Sequence, residues 1–113
     1  YANPTYLPDD MQADYDRYWT DARVDRVLDV LERYGIALEI NARYRIPSFG
    51  IIRRAKQRGI KFTFGTNNVD ADFGRLEYSL EAVEKCGLTA DDIWFPAMSV
   101  RRGRPVVLYN KFE

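Results

Sequence analysis

A length of 113 residues suits one domain. Hydrophobic residues make up 46% of the chain and aromatic residues 14%, which is enough for a hydrophobic core and excludes a disordered chain. The 17 basic side chains balance the 17 acidic ones, which argues against extensive binding of nucleic acid or of an anionic membrane surface. Because no apolar run approaches the roughly 20 residues of a membrane span, we expect no membrane partner.

Two helices are predicted at the beginning of the chain. The first is a short one within residues 8–19. Thr20 is a suitable N-cap for the second and longer one, and Gly35 is a suitable residue just beyond its end. The apolar residues between these two have the spacing of one buried helix face: Val24, Val27, Leu28 and Leu31.

Two predicted strands follow, at residues 36–41 and 60–64, with a helix between them. Ser48 is the predicted N-cap of that helix, and Gly59 lies at its end. Its buried face is expected to carry Phe49, Ile52 and Ala55.

A third main helix is predicted after the second strand. Its expected buried face consists of Leu76, Leu80 and Val83. Thr89 and Asp92 then match a capping box loosely, which predicts a short helical turn. Residues 105–110 are predicted to form a terminal strand that pairs with residues 93–95 or with residues 98–100.

Alternating strands and helices with short loops predict an α/β fold with parallel strands and outer helices. The usual outcomes are a doubly wound sheet and a βα barrel, and both bind ligands at the carboxyl ends of their strands. Alternation places Leu38 and Ile40 on one face of the first strand, and Phe62 and Phe64 on one face of the second. These apolar faces are expected to pack on the helices.

The opposite face of both strands is polar, which fits a barrel lumen better than a sheet covered on both sides. There Glu39 is expected to pair with Lys61 or Thr63, either within a site or as a satisfied buried network. Because a few βα units cannot close a barrel, the chain is predicted to form less than half of a TIM-like one. The rest would come from a missing N-terminal part or from self-association.

The chain contains no histidine, which excludes Ser-His-Asp and Cys-His catalysis and any histidine-ligated metal site built from this chain alone. Any metal would need carboxylate and amide ligands, which suit magnesium or calcium. Cys86 is the single cysteine and is expected to be a packing residue. A chain without an internal disulfide fits a reducing compartment, so we expect a cytoplasmic location.

Three segments, "ALEIN", "IIRRAKQRGIKFTFGTNN" and "DFGRLEYSLEAVEKCGLTADDI", occur in this order. Together they resemble the C-terminal part of the polymerase and histidinol phosphatase (PHP) family, from about Asn3 to Ile93. The resemblance implies that residues 1–113 are the C-terminal portion of a distorted (β/α)7 barrel. It also implies metal-dependent hydrolysis of phosphate esters, because family members typically hold two or three divalent metals at the barrel mouth, mostly through histidines.

The family's metal-ligand positions are altered in this chain. Asn3 stands where the family has the histidine of a His-Pro dipeptide. The family motif G-[ST]-D-x-H reads "GTNNV" here, so that Asn67 replaces the aspartate and Val69 the histidine. The resemblance implies that Glu39 and Thr66 have supporting roles. We expect no cofactor on this chain alone, with any divalent metal held by the full-length protein.

The predicted substrate-binding residues are Asn41, Arg43, Arg45, Asn67 and Asn68. The asparagines would line the barrel mouth and orient substrate. The arginines follow the first strand at its carboxyl end, where a guanidinium suits a phosphate group. The alternatives are that the arginines lie in a solvated loop and that the asparagines are turn residues.

Three functions are open on this basis. The chain is part of a divergent PHP-type phosphoesterase, to which it contributes the substrate-side strand ends, or it is a metal-depleted PHP-like binding or scaffold domain without catalysis. The third is a small α/β domain outside this family. We expect this chain alone to be inactive and self-associated or poorly soluble, and we expect a small phosphorylated ligand as its partner.

Overall fold

The computed structural model describes residues 1–96 with their side chains and the backbone of residues 98–101 and 104–107. Within these residues the protein is a mixed α/β chain. The α-helices are α1 (Tyr15–Tyr18), α2 (Asp21–Tyr34), α3 (Phe49–Gln57) and α4 (Glu77–Cys86). The strands are β1 (Leu38–Asn41), β2 (Phe62–Gly65), β3 (Met98–Arg101) and β4 (Arg104–Val107), and 3₁₀ helices cover Asp9–Asp14 and Ala90–Asp92. None of the described helices has both the length and the apolar character needed to cross a bilayer.

The predicted helix ends are confirmed where they depend on local hydrogen bonds. The hydroxyl of Thr20 accepts from the backbone N–H of Arg23 at the start of α2, and the hydroxyl of Ser48 accepts from that of Ile51 at the start of α3. Gly35 ends α2 with a φ of 62°, a left-handed conformation that glycine adopts without strain.

The predicted capping box after α4 is also confirmed. The backbone N–H of Thr89 donates to Asp92 Oδ2 at 2.8 Å, and this hydrogen bond lowers the pKa of the Asp92 carboxyl. Lys56 Nζ lies 3.2 Å from the same oxygen. The ion pair therefore ties the turn after α4 to α3.

The strands form two separate pairs within the described residues. β1 and β2 pair in parallel, with Leu38 opposite Phe62 and Asn41 opposite Gly65. β3 and β4 pair antiparallel, which confirms the predicted pairing of the terminal strand with residues 98–100. Residues 108–110 of that predicted strand lie outside the described residues.

Parallel pairing continues beyond both edges of the β1–β2 sheet. On one side Tyr1 donates its terminal N–H to the Ala37 carbonyl at 2.7 Å, and its own carbonyl accepts from the backbone N–H of Glu39 at 3.1 Å. On the other side Ile93 forms a parallel bridge with Phe62. The order across the sheet is therefore Tyr1, β1, β2, Ile93, which is also the order along the chain.

One hydrophobic core lies between this sheet and the three longer helices. On the strands it contains Leu38, Ile40 and Phe62, which share the face predicted to pack on helices. On α2, α3 and α4 its buried members are Val24, Leu28, Leu31, Ile51, Ile52, Ala55, Tyr78, Ala82 and Cys86. All three helices therefore cover the same face of the sheet, and the other face is left to polar side chains.

The predicted burial of Phe64, Leu76 and Leu80 is wrong, whereas Val83 of the same α4 stripe is partly buried against the core. Phe64 is 38% exposed and Leu80 is 61% exposed. α4 instead buries Tyr78 and Ser79, because the Tyr78 hydroxyl donates to the Pro47 carbonyl at 2.5 Å and the Ser79 hydroxyl donates to a β1 carbonyl. The hydrogen bonds of these two buried hydroxyl groups favour an orientation of α4 that leaves its leucines exposed.

Candidate functional site

The candidate site lies at the carboxyl ends of β1 and β2, on the polar side of the sheet. Asn41 is the last residue of β1 and is 0% exposed. Its Oδ1 accepts the backbone N–H of Tyr44 at 3.0 Å. This bond fixes the orientation of the amide, so that Nδ2 is directed at the neighbouring strand ends.

Three oxygen atoms lie at hydrogen-bond distance from Asn41 Nδ2 and share its two N–H groups. They are Glu39 Oε1 at 2.9 Å, Asn3 Oδ1 at 3.0 Å and Asn67 Oδ1 at 3.0 Å. We refer to Asn3, Glu39, Asn41 and Asn67 as the asparagine cluster. The structure thus brings together four of the residues that the sequence predicted for the site.

Further hydrogen bonds close the asparagine cluster. Asn67 Nδ2 donates to Asn3 Oδ1 at 2.9 Å, and the backbone N–H of Asn3 donates to Glu39 Oε1 at 3.0 Å. Asn3 and Asn67 have φ values of 48° and 45°, a left-handed conformation that asparagine tolerates better than most residues. Asn67 is therefore both a turn residue and a member of the cluster.

Gly65 makes room for the Glu39 carboxylate. A Cβ atom at Gly65 would lie 2.3 Å from Glu39 Oε2, so no larger residue fits without displacing that side chain. The predicted pairing of Glu39 with Lys61 or Thr63 is not the observed one. Glu39 instead accepts hydrogen bonds from Asn3 and Asn41. The ammonium group of Lys61, which precedes β2, donates a hydrogen bond to the Asp91 carbonyl.

The other residues of the "GTNNV" segment structure the loop after β2. Asn68 Oδ1 accepts from the Thr66 hydroxyl at 2.7 Å and from the backbone N–H of Gly74 at 2.9 Å. Val69 is 70% exposed. Asn68 and Thr66 therefore close this loop beside the asparagine cluster rather than joining it.

Arg43 and Arg45 follow β1 and face carboxylates. Arg43 Nη2 lies 2.7 Å from Asp70 Oδ2. This hydrogen bond raises the pKa of Arg43 and lowers that of Asp70, so both remain charged at neutral pH. Arg45 lies 3.2 Å from Glu81 and 4.8 Å from the centre of the Tyr78 ring.

A cavity of about 500 Å³ lies between the loops that follow β1 and β2. Both predicted arginines line it, together with Arg75, which sequence reasoning missed. Its lining residues are Ala42, Arg43, Tyr44, Arg45, Thr66, Asp72, Arg75, Glu77 and Tyr78. Arg75 could have been identified from the sequence as a basic residue in the loop that follows β2. We call this space the arginine cavity.

A second cavity, of about 230 Å³, shares Tyr44 and Arg45 with the arginine cavity. Tyr6 and Tyr15 line its other walls. The Tyr15 hydroxyl is hydrogen-bonded to Thr5 at 2.6 Å, and burial raises the pKa of Tyr15, so that the phenol stays neutral. The Tyr44–Arg45 segment therefore separates an arginine-lined space from a tyrosine-lined one.

The asparagine cluster does not fit a divalent cation. The oxygens of Asn3 and Asn67 already accept N–H groups, and Glu39 provides the cluster's single carboxylate. Val69 has no ligand atom. Calcium and magnesium sites in proteins are built instead from several free oxygens, usually with more than one carboxylate.

Comparison of the chain with protein-family models, with curated proteins and with solved structures finds no match. The likeness to the PHP family therefore remains a prediction from the sequence motifs.

Proposed function

We propose that the chain is the C-terminal portion of a PHP-like (β/α)7 barrel. The parallel order Tyr1, β1, β2, Ile93 supports this, because a barrel keeps neighbouring strands in chain order whereas a doubly wound sheet reverses direction at a switch point. The location of α2, α3 and α4 on one face, with a polar opposite face, also supports it.

An isolated partial barrel is expected to self-associate through its uncovered surfaces. Beside the Tyr1 edge lies an apolar groove of about 510 Å³, lined by Tyr1, Arg26, Val27, Val30, Leu31 and Ile36. Sedimentation velocity should detect dimers or larger species, and Val30→Lys should shift them toward monomer. Tyr34→Lys, at an exposed position of α2 outside the groove, is the matched control. A monomer over the whole accessible concentration range would contradict the partial-barrel proposal.

We further propose that the whole protein is a divergent phosphoesterase to which this chain contributes the substrate-side strand ends. The arginine cavity carries this proposal, because Arg43, Arg45 and Arg75 surround one space at the carboxyl ends of the strands. Guanidinium groups match the geometry of phosphate oxygens. The part of this chain in the reaction is to bind and orient the phosphate group. A cytoplasmic location belongs to the same proposal and is supported by the single cysteine.

Phosphate binding by this chain should depend on Arg43 and on its carboxylate partner. We expect Arg43→Gln to weaken binding of inorganic phosphate by about 10- to 150-fold, because a hydrogen bond to a charged group contributes roughly 1.5–3 kcal/mol. Asp70→Asn should strengthen binding, since Asp70 competes with phosphate for Arg43. Calorimetric titration measures both effects.

Arg33→Gln is the control for this titration, because Arg33 lies on α2 and away from the cavity. It should leave phosphate affinity unchanged. Equal weakening by Arg33→Gln and Arg43→Gln would mean that phosphate responds only to net charge, and the arginine cavity would not be its site.

The second candidate function is binding or scaffolding without catalysis. The closed asparagine cluster favours it, because the amides at the family's ligand positions bond to each other. Turnover of a phosphate monoester by the full-length protein with Mg²⁺ or Mn²⁺ separates the two candidates. Metal-stimulated hydrolysis supports the phosphoesterase, whereas phosphate binding without hydrolysis supports the binding domain.

A further inference from the structure

We infer that the side-chain amide of Asn41 takes the place of a divalent cation at the strand ends, so that this end of the domain is assembled without metal. Oxygens of Asn3, Glu39 and Asn67 converge on Asn41 Nδ2 at 2.9–3.0 Å. Oxygen atoms repel one another unless a positive group lies between them. Calcium and magnesium sites in proteins are built from converging oxygens of this kind, and here the two N–H groups of one amide supply the positive charge density.

The amide cannot reverse its orientation to leave the centre open. Asn41 is buried, and its Oδ1 is held by the backbone N–H of Tyr44 at 3.0 Å. A reversed amide would place an oxygen among three other oxygens and would leave the Tyr44 N–H facing a second donor. Both changes are unfavourable in a buried site.

The centre of the cluster is also sized for nitrogen rather than for metal. Calcium binds its oxygen ligands at about 2.3–2.6 Å and magnesium at about 2.0–2.1 Å. The three oxygens stand farther from the centre than that, at hydrogen-bond distance from Asn41 Nδ2. A cation at the position of Nδ2 would displace the amide and would need the three oxygens to move inward. Asn41 is therefore a positioning residue that holds together the segments leading to the arginine cavity, whether or not the protein is a phosphoesterase.

The isosteric substitution Asn41→Asp tests this inference. It replaces the N–H donors by an acceptor oxygen and places a second carboxylate beside Glu39. In the presence of EDTA we expect its thermal midpoint to fall by about 10 °C, because the oxygens of Asn3, Glu39 and Asn67 lose their shared donor. Ca²⁺ or Mn²⁺ should restore at least half of that shift, since the altered cluster then has two carboxylates and two amide oxygens around one centre.

Two controls accompany the measurement. The wild-type midpoint should be the same with EDTA and with Ca²⁺. Asn68→Asp makes the same chemical change at an exposed asparagine outside the cluster, where both hydrogen bonds to Oδ1 can persist. The thermal midpoint of Asn68→Asp should neither fall in EDTA nor rise on addition of Ca²⁺ or Mn²⁺.

Three results would overturn the inference. One is an Asn41→Asp variant as stable as wild type in EDTA, and another is a destabilised variant that no cation restores. The third is stoichiometric binding of Mn²⁺ by the wild-type chain that Glu39→Gln abolishes. Calorimetric titration of the wild type tests this third outcome even where Asn41→Asp fails to fold.

Discussion

Replacing Phe62 by alanine is expected to destabilise the domain by about 3–5 kcal/mol. Phe62 is 0% exposed, and it lies in β2 between β1 and the Ile93 bridge, where its ring packs in the core shared by the three longer helices. Truncation would leave a cavity that the surrounding β-structure cannot close by collapsing. Chemical denaturation with a fitted free energy of unfolding measures the loss.

Phe64 is the matched control, since it has the same side chain on the same strand two residues later. Because Phe64 is 38% exposed, Phe64→Ala should cost only about 1 kcal/mol, the typical effect of a point substitution. Equal losses at the two positions would mean that Phe64 is buried as strand alternation alone predicts, which would contradict its observed exposure.

Gly65→Ala should have the second large effect, about 2–4 kcal/mol, because it displaces the Glu39 carboxylate from the asparagine cluster. The added Cβ would lie 2.3 Å from Glu39 Oε2 and 2.4 Å from its Cδ. Glu39 would then lose its hydrogen bonds from Asn3 and Asn41. Denaturation again measures the free energy of unfolding.

Gly50→Ala is the control for the glycine substitution. Gly50 lies in α3, and a Cβ there would meet its nearest atom, Ser48 Oγ, at 3.9 Å. Alanine should therefore stabilise α3 by roughly 0.5–1 kcal/mol through its better helix propensity. In a Glu39→Ala background, Gly65→Ala should reduce the free energy of unfolding much less, because the side chain that clashes with the new Cβ is absent. An unchanged cost in that background would contradict the role assigned to Gly65.

The two asparagines of the "GTNN" segment have different roles, although they are neighbours in the sequence. Asn67 contacts Asn3 and Asn41 across the strand ends, whereas Asn68 bonds within its own loop to Thr66 and Gly74. Substitution of Asn67 should therefore affect the assembly of the strand ends, and substitution of Asn68 only the loop after β2.

Features that depend on short-range hydrogen bonds and on strand alternation could be predicted from the order of the amino acids. The caps at Thr20 and Ser48 are examples, because each bond joins residues three positions apart. The polar face that carries Glu39 and Asn41 could be predicted too, since alternation in a strand is a property of the backbone alone. The rule that parallel α/β folds bind ligands at the carboxyl ends of their strands predicted the location of the candidate site, and the structure brings Asn3, Glu39, Asn41 and Asn67 together there.

Which hydrogen-bond partner each polar group takes depends on the packing of segments that are distant in the sequence. Tyr78 and Ser79 are buried on α4 because their hydroxyls reach the Pro47 and Ile40 carbonyls, more than 30 residues away along the chain, and no apolar periodicity encodes those contacts. Glu39 similarly takes its donors from Asn3 and Asn41 rather than from Lys61. The free energy of a buried hydrogen bond depends on which donor reaches the acceptor in the folded chain, and that distance is set by packing between segments rather than by spacing within one.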